Sequence, residues 1–98
     1  MPTWMTTLWN AGIGFNTRPL RQITIPGTHD AGCYVHHTYG DTLSRTQTQD
    51  IGGQLAGGIR YFDIRPYQAN YISGRSFWTY HGPYSGGQID GLNGILAQ

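Results

Sequence analysis

The chain has 98 residues, 38% of them hydrophobic and only 11% charged, which indicates one small globular domain rather than a disordered or coiled-coil protein. Its net charge is +1 and its six cations are arginines spread singly along the sequence, so it lacks the basic stripe of a nucleic-acid-binding protein. The single cysteine excludes an internal disulfide and a cysteine-based zinc site, and the sequence contains neither a signal-peptide pattern nor an apolar run of about 20 residues that would cross a membrane.

A helix and a strand are predicted in the first third of the chain. Apolar residues at helical spacing predict a short helix over residues 3–9, ended by the glycine-containing stretch 10–14. The β-branched run at 20–25 predicts a strand that ends in a Pro-Gly turn. This strand would place His29 and Asp30 in the loop that follows it.

The middle of the chain is predicted to be a loop followed by a helix. Residues 34–46 are polar and turn-rich, and we interpret the adjacent His36 and His37 as loop residues. An isoleucine and a leucine four residues apart predict a short helix within 47–56, and a pair of glycines marks its end.

Two strands carry the polar residues of the second half. The run 59–65 is the strongest strand candidate, ended by the proline that follows, and its alternation puts Asp63 and Arg65 on the same face. Residues 77–80 predict another strand, which delivers His81 at its carboxyl end.

A loop over 83–87 and a weak, glycine-containing helix over 88–98 complete the predicted elements. Their order indicates an α/β fold in which polar residues collect at the carboxyl ends of strands, where parallel sheets and barrels bind ligands. Nothing in the sequence marks a second domain.

The polar residues have the chemistry that phosphodiester cleavage by a neighbouring hydroxyl requires: a base, an acid and a positive charge at the phosphoryl oxygens. Histidine suits both proton transfers, and arginine matches phosphate with a permanent charge. Singly, each residue has a plainer interpretation. His29 and His81 would be surface loop histidines, and Asp63 and Arg65 would be an ion pair along a strand.

Together, these motifs resemble the X region of bacterial-type phosphatidylinositol-specific phospholipases C. A Pro-Gly-Thr-His-Asp turn, a Phe-Asp-Ile-Arg strand and a His-Gly-Pro turn follow one another in the order and spacing of that family. The resemblance runs over most of the chain. The stretches that carry it are 4–5, 25–32, 48–49, 54–55, 57–65 and 80–83.

The resemblance implies a role for each candidate site residue. His29 would be the general base that accepts the proton of the inositol 2-hydroxyl, and His81 the general acid that protonates the leaving diacylglycerol oxygen. Asp30 would hold the acid histidine in its protonated orientation. Arg65 would neutralise the phosphoryl oxygens, with Asp63 supporting the cluster through hydrogen bonds.

The resemblance also implies a fold and a setting. It implies the N-terminal part of a TIM-type (β/α) barrel, so residues 1–98 are expected to be the front portion of one catalytic domain and inactive alone, because such barrels need about 250 residues. It implies no cofactor and no metal, since an arginine supplies the positive charge. The expected partners are a phosphatidylinositol-type lipid and, transiently, a membrane surface, with a secreted or membrane-peripheral location.

Two other functions remain open at this point. One is a related phosphodiesterase acting on glycerophosphodiesters or sphingolipids, although such enzymes generally use metal and acidic ligands. The other is a non-catalytic module that binds a lipid or a glycan through aromatic side chains. Two aromatic residues, Phe77 and Tyr61, are better interpreted as core residues than as binding residues. The aromatic residues that support a binding module are Tyr67, Tyr71, Phe77, Trp78, Tyr80 and Tyr84.

Overall fold

The computed structural model describes residues 2–36 and 44–98 and shows a mixed α/β architecture with two small sheets. His36 lies in an irregular, exposed stretch, as predicted, and His37 lies outside the described residues. The elements are helices α1 (Trp4–Asn10) and α2 (Ile51–Ala56), strands β1 (Gly27–Thr28), β2 (Tyr61–Phe62), β3 (Pro66–Tyr71), β4 (Gly74–His81) and β5 (Tyr84–Gln88), and 3-10 turns at Phe15–Thr17, Leu20–Gln22 and Ile95–Ala97.

The first sheet consists of β1 and β2, which run parallel. Because the carboxyl ends of parallel strands meet at one edge, the residues that follow these strands, His29 and Asp63, emerge side by side. The two backbones approach closely at Gly27, where a Cβ atom would lie 3.0 Å from the Tyr61 ring. His29 therefore lies in a loop, as predicted, whereas Asp63, predicted within a strand over 59–65, follows β2.

The second sheet is an antiparallel meander of β3, β4 and β5. Two-residue loops at 72–73 and 82–83 join its strands. Gly82 has a φ of 58°, a left-handed conformation that suits the first loop position of a tight hairpin. The meander brings His81 to the end of its central strand.

A buried hydroxyl joins the first sheet's loop to the meander. Oγ1 of Thr79, on β4, lies 3.0 Å from the carbonyl oxygen of Gly32 and 3.1 Å from that of Gly87. The amide of Gly87 also donates to the carbonyl of Gly32 at 2.7 Å. These bonds hold the loop after β1 against the strand that carries His81.

The interior contains few apolar side chains. Among the described residues, the buried hydrophobic ones are Ala31, Cys33 and Ile51. Phe77 and Tyr61, interpreted as core residues from sequence, are 42% and 62% exposed, so that interpretation is wrong. The radius of gyration is 16.2 Å, against about 13 Å for a compact domain of this length. Hydrogen bonds therefore determine much of the packing.

No described helix could cross a membrane, since α1, the longest, has only seven residues. The predicted helix over 3–9 is confirmed by α1, shifted by one residue. The predicted strand over 20–25 is wrong. Its first half forms the 3-10 turn Leu20–Gln22, and although Ile23 is extended, the ladder with β2 begins only at Gly27.

The predicted helix within 47–56 forms only from Ile51 onward, as α2. Asp50 stands before it in an extended conformation, and its Oδ1 accepts a hydrogen bond from the amide of Gly53 at 2.8 Å. An N-cap of this kind starts a helix at the next residue, which explains the later boundary.

The second half differs most from the prediction. The strand over 59–65 shrinks to Tyr61–Phe62, and the proline expected to end it is the first residue of β3, a position where a missing N–H is tolerated. The strand at 77–80 is confirmed as part of β4, but the stretch before it pairs with β3 as a hairpin. The predicted loop over 83–87 is β5 instead.

The predicted helix over 88–98 does not form beyond the 3-10 turn Ile95–Ala97. Asp90 turns toward β4 instead, where its Oδ1 accepts hydrogen bonds from the amide of Phe77 at 3.0 Å and the hydroxyl of Ser76 at 2.9 Å. These bonds tie the segment to the meander and outweigh a helix weakened by glycines.

The contact between loop and meander predicts the effect of adding one methyl group. A Cβ atom on Gly32 would overlap the Thr79 side chain, whereas one on Gly52, within α2, would meet only ordinary contacts at 3.6 Å or more. We expect Gly32→Ala to lower the free energy of unfolding by about 1–3 kcal/mol, and the control Gly52→Ala to raise it by up to about 1 kcal/mol. Urea denaturation measures both; equal effects would contradict the packing described.

Candidate active site

The loop after β1 holds Asp30 in an uncommon backbone conformation. Its φ is 44°, in the left-handed region that costs a non-glycine residue about 1 kcal/mol. Its carbonyl accepts hydrogen bonds from the Thr46 hydroxyl at 2.8 Å and the Cys33 amide at 2.9 Å, and the next amide, of Ala31, donates to the carbonyl of Asp63 at 2.9 Å. These bonds fix the direction of the Asp30 side chain.

The buried side chain of Gln54, on α2, holds the same loop through hydrogen bonds. Oε1 of Gln54 accepts from the Thr28 hydroxyl at 2.6 Å, while its Nε2 donates to the carbonyls of Ala31 at 2.9 Å and Gln49 at 2.8 Å. Gln54 therefore holds the residues on both sides of the His29-Asp30 pair.

The carboxylate of Asp30 lies at the centre of the site, with none of its side chain exposed. Its Oδ1 lies 2.9 Å from Nε of Arg65. Its Oδ2 lies 3.0 Å from Nε2 of His29 and 3.7 Å from Nε2 of His81. These contacts are close but not aligned as hydrogen bonds. The charge of Asp30 is thus met by three side chains from three separate segments.

Asp63 forms a second bridge across the cluster. Its Oδ2 accepts a hydrogen bond from Nη2 of Arg65 at 3.0 Å and lies 3.2 Å from Nδ1 of His29. The hydrogen bond from Arg65, followed by one from the Asp30 amide, lowers the pKa of Asp63, and the same contact raises the pKa of Arg65. The ion pair between Asp63 and Arg65, which the sequence suggested as a plainer interpretation, is present as part of a larger cluster.

The structure brings all five candidate residues together: His29, Asp30, Asp63, Arg65 and His81. One relation differs from the sequence expectation. Asp30 was expected to hold His81, yet its carboxylate lies closer to His29. It is shared between the two imidazoles, which therefore approach one oxygen from separate strands.

Open space adjoins the cluster. A cleft of about 360 Å³ lies beside the base candidate and is lined by Gly27, Thr28, His29, Tyr61 and Asp63. The imidazole of His29 is 68% exposed, so a ligand in the cleft would reach it directly.

Curated proteins similar to this chain carry one family name. A 1-phosphatidylinositol phosphodiesterase of Listeria monocytogenes is 37% identical over 83 residues, which cover 82% of this chain and 22% of the relative. A PI-PLC X-box domain-containing protein of Dictyostelium discoideum is 36% identical over 49% of the chain and 9% of the relative. A 1-phosphatidylinositol phosphodiesterase of Staphylococcus aureus is 38% identical over 47% of the chain and 15% of the relative.

The chain is thus similar, at modest identity over part of its length, to proteins named 1-phosphatidylinositol phosphodiesterase. The resemblance stated from the sequence is confirmed by these relatives, of which the chain spans about a fifth of the length or less. No protein-family model matches the chain, and no solved structure matches it.

Three side chains of this cluster also have the chemistry of metal ligands. Atoms of His29, Asp30 and Asp63 lie within 4.8 Å of one another. However, both carboxylates already contact the guanidinium of Arg65, at 2.9 Å and 3.0 Å. A divalent cation among these oxygens would lie against a permanent positive charge, which disfavours it.

The sequence patterns gave no role to two residues that hold the candidate site in place, Gln54 and Thr79. Both are polar and buried, 5% and 1% exposed. For Gln54 a signal existed, because it lies three residues after Ile51 and so shares the buried face of α2. Thr79 had none, since its hydroxyl matters only once Gly32 packs on β4.

The pKa of Asp63 provides a test of this charge arrangement. Because its folded pKa lies below the ordinary 3.8, Asp63 stabilises the fold above about pH 3.8, and that stability is lost as the pH falls through the folded pKa. In Arg65→Gln we expect the pKa of Asp63 to rise toward its ordinary value and the acid sensitivity of folding to decrease. Carbon-13 NMR titration of the carboxyl groups measures the first effect.

Asp90 is the internal control in that titration. Its pKa is also lowered, chiefly by the hydrogen bond from the Phe77 amide, which Arg65 does not touch. An equal rise of both carboxyl pKa values in Arg65→Gln would show a general change of the fold and contradict the proposed pairing.

Proposed function

We propose that this chain carries the proton-transfer groups of a phosphodiesterase that cleaves a phosphatidylinositol-type lipid to diacylglycerol and a cyclic inositol phosphate. The observation that supports it is the meeting of two histidines and one arginine on the buried carboxylate of Asp30. The names of the relatives support the reaction class. The chain is proposed to be the front part of one barrel-like catalytic domain that contacts the membrane transiently.

The nucleophile is proposed to approach from the cleft beside His29. The inositol 2-hydroxyl oxygen attacks phosphorus while the exposed imidazole of His29 accepts its proton. Asp63, 3.2 Å from Nδ1, fixes the orientation of the ring and stabilises the imidazolium that forms. The exposed ring of Tyr61 provides a wall against which the inositol ring packs.

The leaving side is assigned to His81. As the bond between phosphorus and the glycerol oxygen breaks, His81 transfers a proton to that oxygen, and diacylglycerol departs. The carboxylate of Asp30 lies 3.7 Å from Nε2 of His81 and positions the imidazole for this step.

Arg65 is proposed to stabilise the negative charge that develops on the phosphoryl oxygens. Its guanidinium is 45% exposed while it contacts both carboxylates. Its planar fork presents parallel N–H groups to a phosphate, so a substrate binds without displacing it from the cluster.

Substitutions of the two histidines should respond differently to a change of leaving group in the substrate. The assay uses this chain and a chimera in which residues 1–98 replace the matching segment of the Listeria monocytogenes relative. We expect turnover from the chimera and little from the chain alone. His29→Ala and His81→Ala should each lower turnover of the chimera by about 10²–10⁴-fold on phosphatidylinositol. A nitrophenyl inositol phosphate should restore His81→Ala only, because nitrophenolate leaves without a proton.

The matched control is His36→Ala, an exposed histidine to which no step is assigned, with turnover expected within about twofold of the parent. Full turnover in His29→Ala would remove the base assignment and favour a lipid- or glycan-binding module. Preferred cleavage of sphingomyelin or a glycerophosphodiester would instead identify the related phosphodiesterases considered from the sequence.

Metal independence is a separate prediction. Because Arg65 already contacts both carboxylates, the positive charge needs no cation, and excess EDTA should leave turnover of the chimera unchanged. The measurement is the initial rate before and after chelation. A loss of activity that added Ca²⁺ restores would place a metal at His29, Asp30 and Asp63 and overturn this assignment.

A further inference from the structure

A second cavity, of about 300 Å³, lies at the turn between β4 and β5. No step of the proposed reaction uses the residues that form it. Its walls are three tyrosines and the hairpin turn, and the lining residues are Tyr67, Tyr80, Gly82, Pro83, Tyr84 and Ser85.

The hairpin places this tyrosine pocket directly beside the acid and the phosphate-binding arginine. Gly82 follows His81 in the chain, and Tyr84 is the cross-strand partner of His81. The amide of Tyr80, the residue before His81, donates to the carbonyl of Arg65 at 3.1 Å. The pocket therefore adjoins His81 through the turn residues 82–84, although no side chain of the cluster lines it.

The walls of the pocket combine aromatic faces with a pair of hydroxyl groups. The rings of Tyr67 and Tyr80 meet edge to face, with centroids 5.9 Å apart. The hydroxyl oxygens of Tyr67 and Ser85 lie 2.7 Å apart and share a hydrogen bond. Aromatic walls suit methylene groups, and hydroxyl groups suit ester oxygens.

We propose that the tyrosine pocket binds the glycerol ester end of the leaving diacylglycerol, an inference that rests on the proposed function. Until the reaction step, the leaving alcohol is covalently bonded to phosphorus. Once the phosphoryl group lies at Arg65 and the departing oxygen at His81, the glycerol has to lie just beyond His81. The cleft at His29, on the other side of Asp30, takes the inositol ring.

The size of the pocket limits what it holds. About 300 Å³ is at the lower end of ligand cavities, so it accommodates the glycerol, its ester groups and the first acyl carbons. The remaining acyl carbons extend out of the open side. A second apolar groove, of about 380 Å³, is lined among others by Met5, Trp9 and Phe15. None of its lining residues is a chain neighbour or strand partner of His81 or Arg65, whereas Gly82 and Tyr84 adjoin His81, so the groove does not suit a group tethered at Arg65.

Binding of a soluble short-chain product tests this assignment without requiring turnover. Dibutyrylglycerol is titrated into the 98-residue chain and followed by amide and tyrosine-ring NMR shifts. We expect saturable shifts at residues 80–85, and an affinity about tenfold weaker in Tyr80→Ala, which loses one aromatic wall. Tyr71→Ala is the matched control, because Tyr71 is an exposed tyrosine at the far end of the β3–β4 hairpin, and it should bind like the parent chain.

Shifts confined to the groove at α1, an absence of saturable shifts, or equal losses in Tyr71→Ala and Tyr80→Ala would each overturn the proposal. So would saturable binding of myo-inositol in the same pocket. If the chimera cleaves the lipid but dibutyrylglycerol does not bind at residues 80–85, only the proposed subsite is wrong. If dibutyrylglycerol binds there but the chimera folds without cleaving the lipid, the proposed reaction is wrong and a pocket for glycerol esters is supported.

Discussion

The arrangement of this site follows from the burial of one charge. A carboxylate without solvent has to be met by positive charge or hydrogen bonds, and Asp30, with no exposed side-chain surface, contacts Arg65 and faces two imidazoles. These partners come from three separate segments: the loop after β1, the link before β3 and the end of β4. Removing the carboxylate would leave them no common centre. The group that orients the proposed proton transfers also determines where the strands meet.

Polar bonds rather than apolar packing hold this centre in place. Within residues 2–36 and 44–98, few hydrophobic side chains are buried, whereas Gln54 and Thr79 are almost fully enclosed and hydrogen-bonded. Each buried bond contributes only about 1 kcal/mol, but leaving its partner unsatisfied costs more, so such residues tolerate little change. Gln54 holds the residues on both sides of the His29-Asp30 pair, and Thr79 connects the loop after β1 to β4. The geometry of the candidate site therefore depends on buried residues outside the charged cluster.

Local sequence patterns predicted elements well where local interactions determine them. The first helix follows from its own apolar spacing, and the strand predicted at 77–80 forms as part of β4. The errors lie where distant residues decide. The run at 20–25 has strand propensity but forms no ladder before Gly27, and the stretch at 84–88 pairs with β4 despite its turn-like composition. The segment after 88 is drawn to β4 by Asp90 instead of forming a helix.

By itself, the sequence determined which chemical groups are present and in what order, and these were enough to indicate phosphodiester chemistry and the family of the relatives. It could not determine that Asp30 lies near both histidines, because Asp30 and His81 are 51 positions apart in the chain and meet only through the parallel strand pair and the hairpin. Nor could it show a tyrosine pocket on the His81 side of the site. Cross-strand pairing creates both, because register brings side chains together that no local pattern relates.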